Sequence, residues 1–323
     1  MMKSLRSKPA ICGKNILDLQ MNGGNKMIDF TNCPINKFKA YGGGNGAKIN
    51  ITYEGKNYML KFAPRPKQAN EVSYTNSCFS EYIACHIYQS LDIKTQNTLL
   101  GIYQKGNKKV EVVACEDFNA NGYNLMEFAN LKNTCIDSSQ NGYGIELASV
   151  LEAIQEQTLI DPQQLKDHFW DMFIADAFLG NFDRHNGNWG LLVNESTQDV
   201  KIAPVYDCGS CLYPQLSEKD LQKVLDDPNE ISQRVFTFPN SAIKINNKKL
   251  NYFDYISTLS NPDCTEALLR IAPRIDLDKV AQIIDATPLS TDLQKDFYKV
   301  ILTARKERII DFSRQKFLNT VIS

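Results

Sequence analysis

The sequence predicts an α+β chain of two lobes, a sheet-rich first part followed by a mainly helical one, and three observations carry that prediction. Between about residue 38 and residue 115, short runs of alternating apolar and polar side chains are broken by glycine turns, which is the period of strands. One helical stripe, Phe79, Ile83, Ile87 and Leu91, interrupts them. After Phe118 the polar stretch NANGYN breaks the pattern, and beyond it apolar residues recur mostly at helical spacing. The boundary is placed there, giving a first lobe over 1–118 and a second over 119–323.

In chain order, Phe38 to Tyr41, KINITY and YMLKF predict a three-stranded antiparallel meander turned by YGGGNGA and then by EGKN. Tyr58, Leu60 and Phe62 share one strand face, which leaves Lys61 on the other. A helix from about Cys78 to Leu91 follows, then strands over 97–103 and 110–115 around the turn KGNK, completing a five-stranded antiparallel sheet. The strongest helix is 162–179: Asp161 can cap it, Pro162 fits its first turn, Gln164 completes a capping box and Gly180 ends it. WGLLV and VKIAPV form a hairpin around NESTQD, and residues 216–323 hold several helical patterns, including 291–318.

With 36 Lys and Arg against 37 Asp and Glu, the net charge is −1, so nothing global draws the chain to nucleic acid or an acidic membrane surface. The basic stretch KINNKK at 244–249 reads as a solvated turn. Nine scattered cysteines, of which only Cys208 and Cys211 are close, read as reduced thiols rather than a zinc or redox site. The basic N-terminus lacks the apolar run of a Sec signal and no stretch is long enough to span a membrane. The expected location is the cytoplasm as synthesised.

Four features stand in an order that suits phosphoryl transfer from ATP, where catalysis is mostly positioning and charge neutralisation. Gly42, Gly43, Gly44, Asn45 and Gly46 expose backbone N–H groups that can approach phosphates without an intervening Cβ. Lys61 points beneath that turn. Glu81, on the following helix, can orient Lys61 toward the α and β phosphates; Glu71 is a competing partner placed before the periodic part of the helix. In GNFDRHNGNWG, at 180–190, Asp183 and Asn188 are spaced so that a carboxylate faces an acceptor hydroxyl while an amide oxygen turns to a metal, and Asp207 returns beside them after the hairpin as the charged oxygen ligand Mg2+ prefers. His185 reads as a structural or phosphate-contacting residue rather than a base.

The stretches YGGGNGA, YMLKF, SEYIACHIYQSLDI, VVACEDF, GNFDRHNGN and APVYDCGS resemble protein kinases, and more closely the HipA-like serine/threonine kinases, over about residues 38–212. The resemblance implies a bilobal protein-kinase-like fold, with an antiparallel-sheet N-lobe and a mainly helical C-lobe, and ATP and Mg2+ as cofactors. It implies a protein substrate with a Ser or Thr acceptor, the chain itself included, since Ser73, Thr75, Ser77 and Ser80 lie near the nucleotide lobe. Asp183 would be the catalytic base, Asn188 and Asp207 the Mg2+ ligands, and Lys61 the phosphate contact held by Glu81. Cys115 to Phe118 would be the hinge, with the backbone of Glu116 and Phe118 meeting adenine, and His185 and Tyr206 would flank the nucleotide. Delivery into another cell by a route without a Sec signal is a further implication.

This chain departs from ordinary protein kinases in reading Tyr206-Asp207-Cys208-Gly209 where they have D-F-G, and it has no long activation segment ending in A-P-E. Two rival readings remain. D-R-H-x-x-N also occurs in phosphoinositide kinases, and a kinase shape can be a catalytically silent nucleotide-binding interaction protein. No nucleic-acid partner is indicated.

Overall fold

The structure is a computed structural model that describes residues 27–39, 47–64, 74–136 and 140–322. The first lobe is a five-stranded sheet built from β1 (Ile28–Asp29), β2 (Lys48–Tyr53), β3 (Lys56–Phe62), β4 (Thr98–Lys105) and β5 (Lys108–Glu116), in the spatial order β1-β4-β5-β3-β2. The β2–β3 turn is the pair Glu54-Gly55, with φ of 47° and 77°, a two-residue turn whose twist matches that of the flanking strands.

The predicted strand count holds, but its membership does not. Residues 38 and 39 lie outside any strand, 40 and 41 lie outside the described residues, and the fifth strand is β1, which pairs parallel to β4. A Cβ on Gly101 would sit 2.3 Å from the Ile28 carbonyl oxygen, so glycine is what lets β1 approach. The segment carrying β1 covers the outer sheet face, where Phe30 packs with Ile51, Tyr58, Leu60 and Phe62.

On the inner face, α1 (Ser77–Ser90) lies against β4 and β5. The sequence predicts one buried stripe, yet nearly every residue from Cys78 to Tyr88 is buried, because the helices of the second lobe close over the other side. That inner face of β3 presents Lys61 to Glu81.

The second lobe starts with β6 (Asn124–Glu127), α2 (Phe128–Cys135), α3 (Leu147–Glu156) and α4 (Pro162–Leu179). Asp161 caps α4 through the Gln163 N–H at 3.2 Å, rather than through the box expected with Gln164, and Gly180 ends it in the left-handed conformation at φ 68°. The hairpin β7 (Gly190–Asn194) and β8 (Asp199–Ile202) forms as expected, but β6 joins it as a third strand.

Beyond lie α5 (Glu218–Asp226), α6 (Pro228–Phe236), the hairpin β9 (Asn240–Ile245) and β10 (Lys248–Asn251), then α7 (Tyr252–Thr258), α8 (Pro262–Ile271), α9 (Leu277–Asp285), α10 (Asp292–Arg305) and α11 (Phe312–Ile322). A π-helical turn over 306–311 joins the last two. KINNKK is therefore the β9–β10 turn, with Asn246 and Asn247 at positive φ. No described helix is long and apolar enough to cross a membrane.

Arg305 ties the end of α10 to the end of α4. Fully buried, it donates from Nε and Nη2 to the Ala177 carbonyl at 2.9 and 2.6 Å and from Nη1 to the Arg234 carbonyl at 2.6 Å. Carbonyls in the last turn of a helix lack intrahelical donors, and a cation complements the helix dipole there. Arg305→Met is expected to destabilise the fold by about 2–4 kcal/mol through those orphaned carbonyls, measured as a lowered urea midpoint.

Candidate active site

Loop 180–190 is polar in composition, but most of it is buried. Arg184, only 4% exposed, pairs through Nε and Nη2 with both carboxylate oxygens of Asp176 at 2.9 and 3.2 Å. Its Nη1 donates to the carbonyls of Asn188 at 2.8 Å and Tyr206 at 2.5 Å. Asp176 also accepts from Tyr88 Oη at 2.6 Å and Asn181 Nδ2 at 2.8 Å. Burial alone would lower the pKa of Arg184, but the Asp176 carboxylate, together with Cys208 and Tyr88, outweighs it and holds the guanidinium charged. Asn186 Nδ2 bonds the Gly142 and Gly144 carbonyls at 2.8 Å each. The loop is thus pinned to α4, to α1 and to the segment leading to Asp207, while Asp183 keeps access to solvent at its tip, partly desolvated by the cleft walls around it.

The sequence reading missed these braces. The signal was Asp176, a carboxylate on a helix otherwise buried from Phe169 to Leu179 apart from Asp171, which calls for a buried cation nearby.

Lys61 Nζ lies 2.9 Å from Glu81 Oε2 and 2.9 Å from Asp207 Oδ1, so the predicted Lys61–Glu81 pair forms. Burial opposes the charge on Lys61, but the two carboxylates win and its pKa is raised. Lys61 in turn holds the Asp207 carboxyl down at about 2. Glu81 is raised by its own burial, which exceeds the opposing pull of Lys61; its other oxygen accepts the Cys208 N–H at 3.1 Å. Asp207 itself takes φ 56°. Desolvation also raises Asp183, with His185 pulling the other way.

Asp183, Asn188, His185, Tyr206 and Asp207 line one cleft of about 570 Å3 together with Lys61 and Phe118. Lys48, opposite Lys61 in the β2–β3 register, faces it too. Tyr206 Oη donates to the Gly187 carbonyl at 3.0 Å, and its ring meets Phe118 edge-on at 5.5 Å. With Met59 and Leu125 these rings make an apolar end to the cleft. Gly42, Gly43, Gly44, Asn45 and Gly46 lie outside the described residues. Glu116 stands apart from the rest: its N–H is bonded to the Asn97 carbonyl at 2.8 Å and its carbonyl accepts Gln96 Nε2 at 2.8 Å. Only one carbonyl lone pair of Glu116 is left for a ligand.

Asn188 commits Nδ2 to the Asp183 carbonyl at 2.8 Å, which leaves its oxygen as the cleft-side donor. That oxygen and the ionised Asp207 are hard donors of the type Mg2+ takes. Among the described residues no three His, Cys, Asp or Glu side chains could hold a metal unaided, so such a cation would need phosphate and water oxygens as well. Cys208 and Cys211 are buried and not joined in a disulfide.

From Asp207 the chain runs directly into α5 with no extended segment. Cys208, Cys211, Leu212 and Tyr213 are buried, the Leu212 N–H bonds the Leu179 carbonyl at 3.0 Å, and Tyr213 Oη donates to the Arg234 carbonyl at 2.5 Å.

Against known proteins, this chain is 50% identical over 290 residues to the serine/threonine-protein kinase CtkA of Helicobacter pylori strain J99, covering 90% of this chain and 88% of that one. The crystal structure of a Helicobacter pylori proinflammatory kinase CtkA superposes with a TM-score of 0.86 at 48% identity, over 91% of this chain and 99% of that one. HipA of Shewanella oneidensis MR-1, solved with HipB and its operator DNA, shares the fold at a TM-score of 0.52 and 16% identity, over 87% of this chain and 68% of that one. The HipA-like C-terminal domain model matches residues 41–286. On that match and the 50% identity, this chain belongs to the HipA-like C-terminal domain family.

Proposed function

We propose that this protein is a serine/threonine protein kinase that transfers the γ-phosphoryl group of ATP, with Mg2+, to a protein hydroxyl. The observation that carries the reading is the Lys61 ammonium 2.9 Å from both Glu81 and Asp207, in a cleft whose facing lip holds Asp183 and Asn188. The 50% identity to a serine/threonine-protein kinase supports the acceptor class.

In this reading Lys61, oriented by Glu81, contacts the α and β phosphates, and Asn188 and Asp207 hold Mg2+. When bound, that cation neutralises charge on the phosphate oxygens. Asp183 accepts the acceptor's hydroxyl proton as that oxygen bonds to the γ-phosphorus and the bond to the ADP oxygen breaks. Burial raises its pKa and so makes it a stronger base. The Phe118 backbone and the Tyr206 ring receive the adenine, Glu116 contributes its remaining carbonyl lone pair, and His185 stands beside the phosphates. Gly42, Gly43, Gly44, Asn45 and Gly46 complete the phosphate cradle. We place the lobe division at 118/119. Autophosphorylation belongs to the proposal: of the four hydroxyls named from the sequence, Ser80 is buried and Ser73 lies outside the described residues, which leaves Thr75 and Ser77.

The test is transfer of γ-labelled phosphate from Mg-ATP to the enzyme itself, to a generic Ser/Thr-containing protein and to phosphoinositide vesicles, by wild type and Lys61→Ala. Label on protein Ser or Thr, reduced by at least about 10²-fold in Lys61→Ala, is the expected result. Label on lipid alone, or none with ATP binding retained, would overturn it.

A further inference from the structure

A second cavity, of about 320 Å3, meets the catalytic groups with walls otherwise different from those of the cleft. It shares Lys48, Lys61, Asp183 and Asp207 with the larger cleft and nothing else. In-line transfer puts donor and acceptor on opposite sides of the phosphorus. With the nucleotide in the larger cleft, whose far end is the apolar Phe118–Tyr206 corner, the second cavity offers the acceptor oxygen a separate approach to Asp183.

Among the described residues, the walls that belong to this cavity alone carry one charge, Glu81, and that charge is already committed to Lys61 and the Cys208 N–H. The remainder is neutral and its rim is aromatic. Tyr74 and Phe182 stand 6.2 Å apart between ring centres, and Phe182 continues to Phe238 at 5.8 Å. Phe238 is 42% exposed, so the row runs from beside Asp183 out to the surface. A row of this kind gains from burying an apolar side chain, and its three rings offer no charge to pair with a charged one.

We infer that the Tyr74–Phe182–Phe238 row selects protein acceptors whose serine or threonine is flanked by a bulky apolar residue, the hydroxyl entering the second cavity while its neighbour covers the row. This deepens the kinase reading and rests on it. Acidic and basic flanking residues gain less on this row than apolar ones, and among the described residues of these walls a polyanionic lipid headgroup finds no cation beyond the two lysines shared with the nucleotide.

The experiment measures kcat/KM of the full chain on serine peptides that differ only in the flanking residues, Leu or Phe against Asp or Lys, for wild type, Tyr74→Ala and Phe238→Ala. The two variants cover an inner and an outer position of the row, and thermal midpoints are recorded for both. The expected result is a preference for apolar flanks of roughly tenfold in wild type, reduced in both variants through peptide KM, with the KM for ATP unchanged. Equal rates on all peptides, or a preference left intact in both variants, would overturn the inference while leaving the kinase reading standing. No label on any peptide, with label on phosphoinositide vesicles, would overturn both.

Discussion

Asp183→Asn lowers phosphoryl transfer by about 10²–10⁴-fold, the range for removing a general base, while Mg-ATP affinity and the unfolding midpoint stay near wild type. The amide keeps the shape of the side chain, and the loop bonds around it come from backbone atoms: the Asp183 N–H to Asn181 Oδ1 at 3.0 Å and its carbonyl to Asn188 Nδ2 at 2.8 Å. Steady-state kinetics with ATP varied separates the two effects as a fall in kcat without a matching change in the KM for ATP. The pH profile supplies a second check. A base must be deprotonated to act, and burial raises Asp183 above the ordinary 3.8 of a carboxylate, so wild-type kcat/KM declines as pH falls through a point above that value. An acid limb at or below 3.8 would remove Asp183 from the role.

Arg184→Leu carries the largest expected loss of stability, about 3–5 kcal/mol, because it leaves the Asp176 carboxylate, 1% exposed, without its cation. The carbonyls of Asn188 and Tyr206 lose their donor as well, so the two segments that carry Asn188 and Asp207 lose their shared brace. Urea unfolding measures the first effect and label transfer the second. Adding Asp176→Leu to Arg184→Leu recovers part of the stability without restoring transfer, since it removes the buried charge but not the need for the brace. A single mutant as stable as wild type would show that the pair has little part in holding the loop.

The residues that could be read from the sequence were those fixed by local rules. Strand alternation put Lys61 on the face that meets α1, four-residue spacing put Glu81 on the helix beside it, and the β7–β8 hairpin returned Asp207 to Asp183. What could not be read depends on partners distant in the chain. β1 is two residues long, too short for any period, and exists because Gly101 admits it. β6 is defined by pairing with β7 across some sixty intervening residues rather than by its own pattern. The burial of Arg184 and Asn186 could not be read because a loop rich in charges and amides has the same composition whether water or protein satisfies it. The engagement of the Glu116 backbone was hidden for the same kind of reason, since its partners Asn97 and Gln96 lie about twenty residues away in the chain.

The short run from Asp207 to α5 bears on control. Its side chains are part of the same core that holds α1 to the helical lobe, so shifting it means breaking into that core rather than swinging a tethered flap. Enzymes that wait for a signal keep such a flap in reserve, stable in neither position until something tips it. Here the residues between Asp207 and α5 leave no slack to tip. A switch that works by swinging such a flap has no place in this stretch, and the core that holds α1 to the helical lobe is what denies it one.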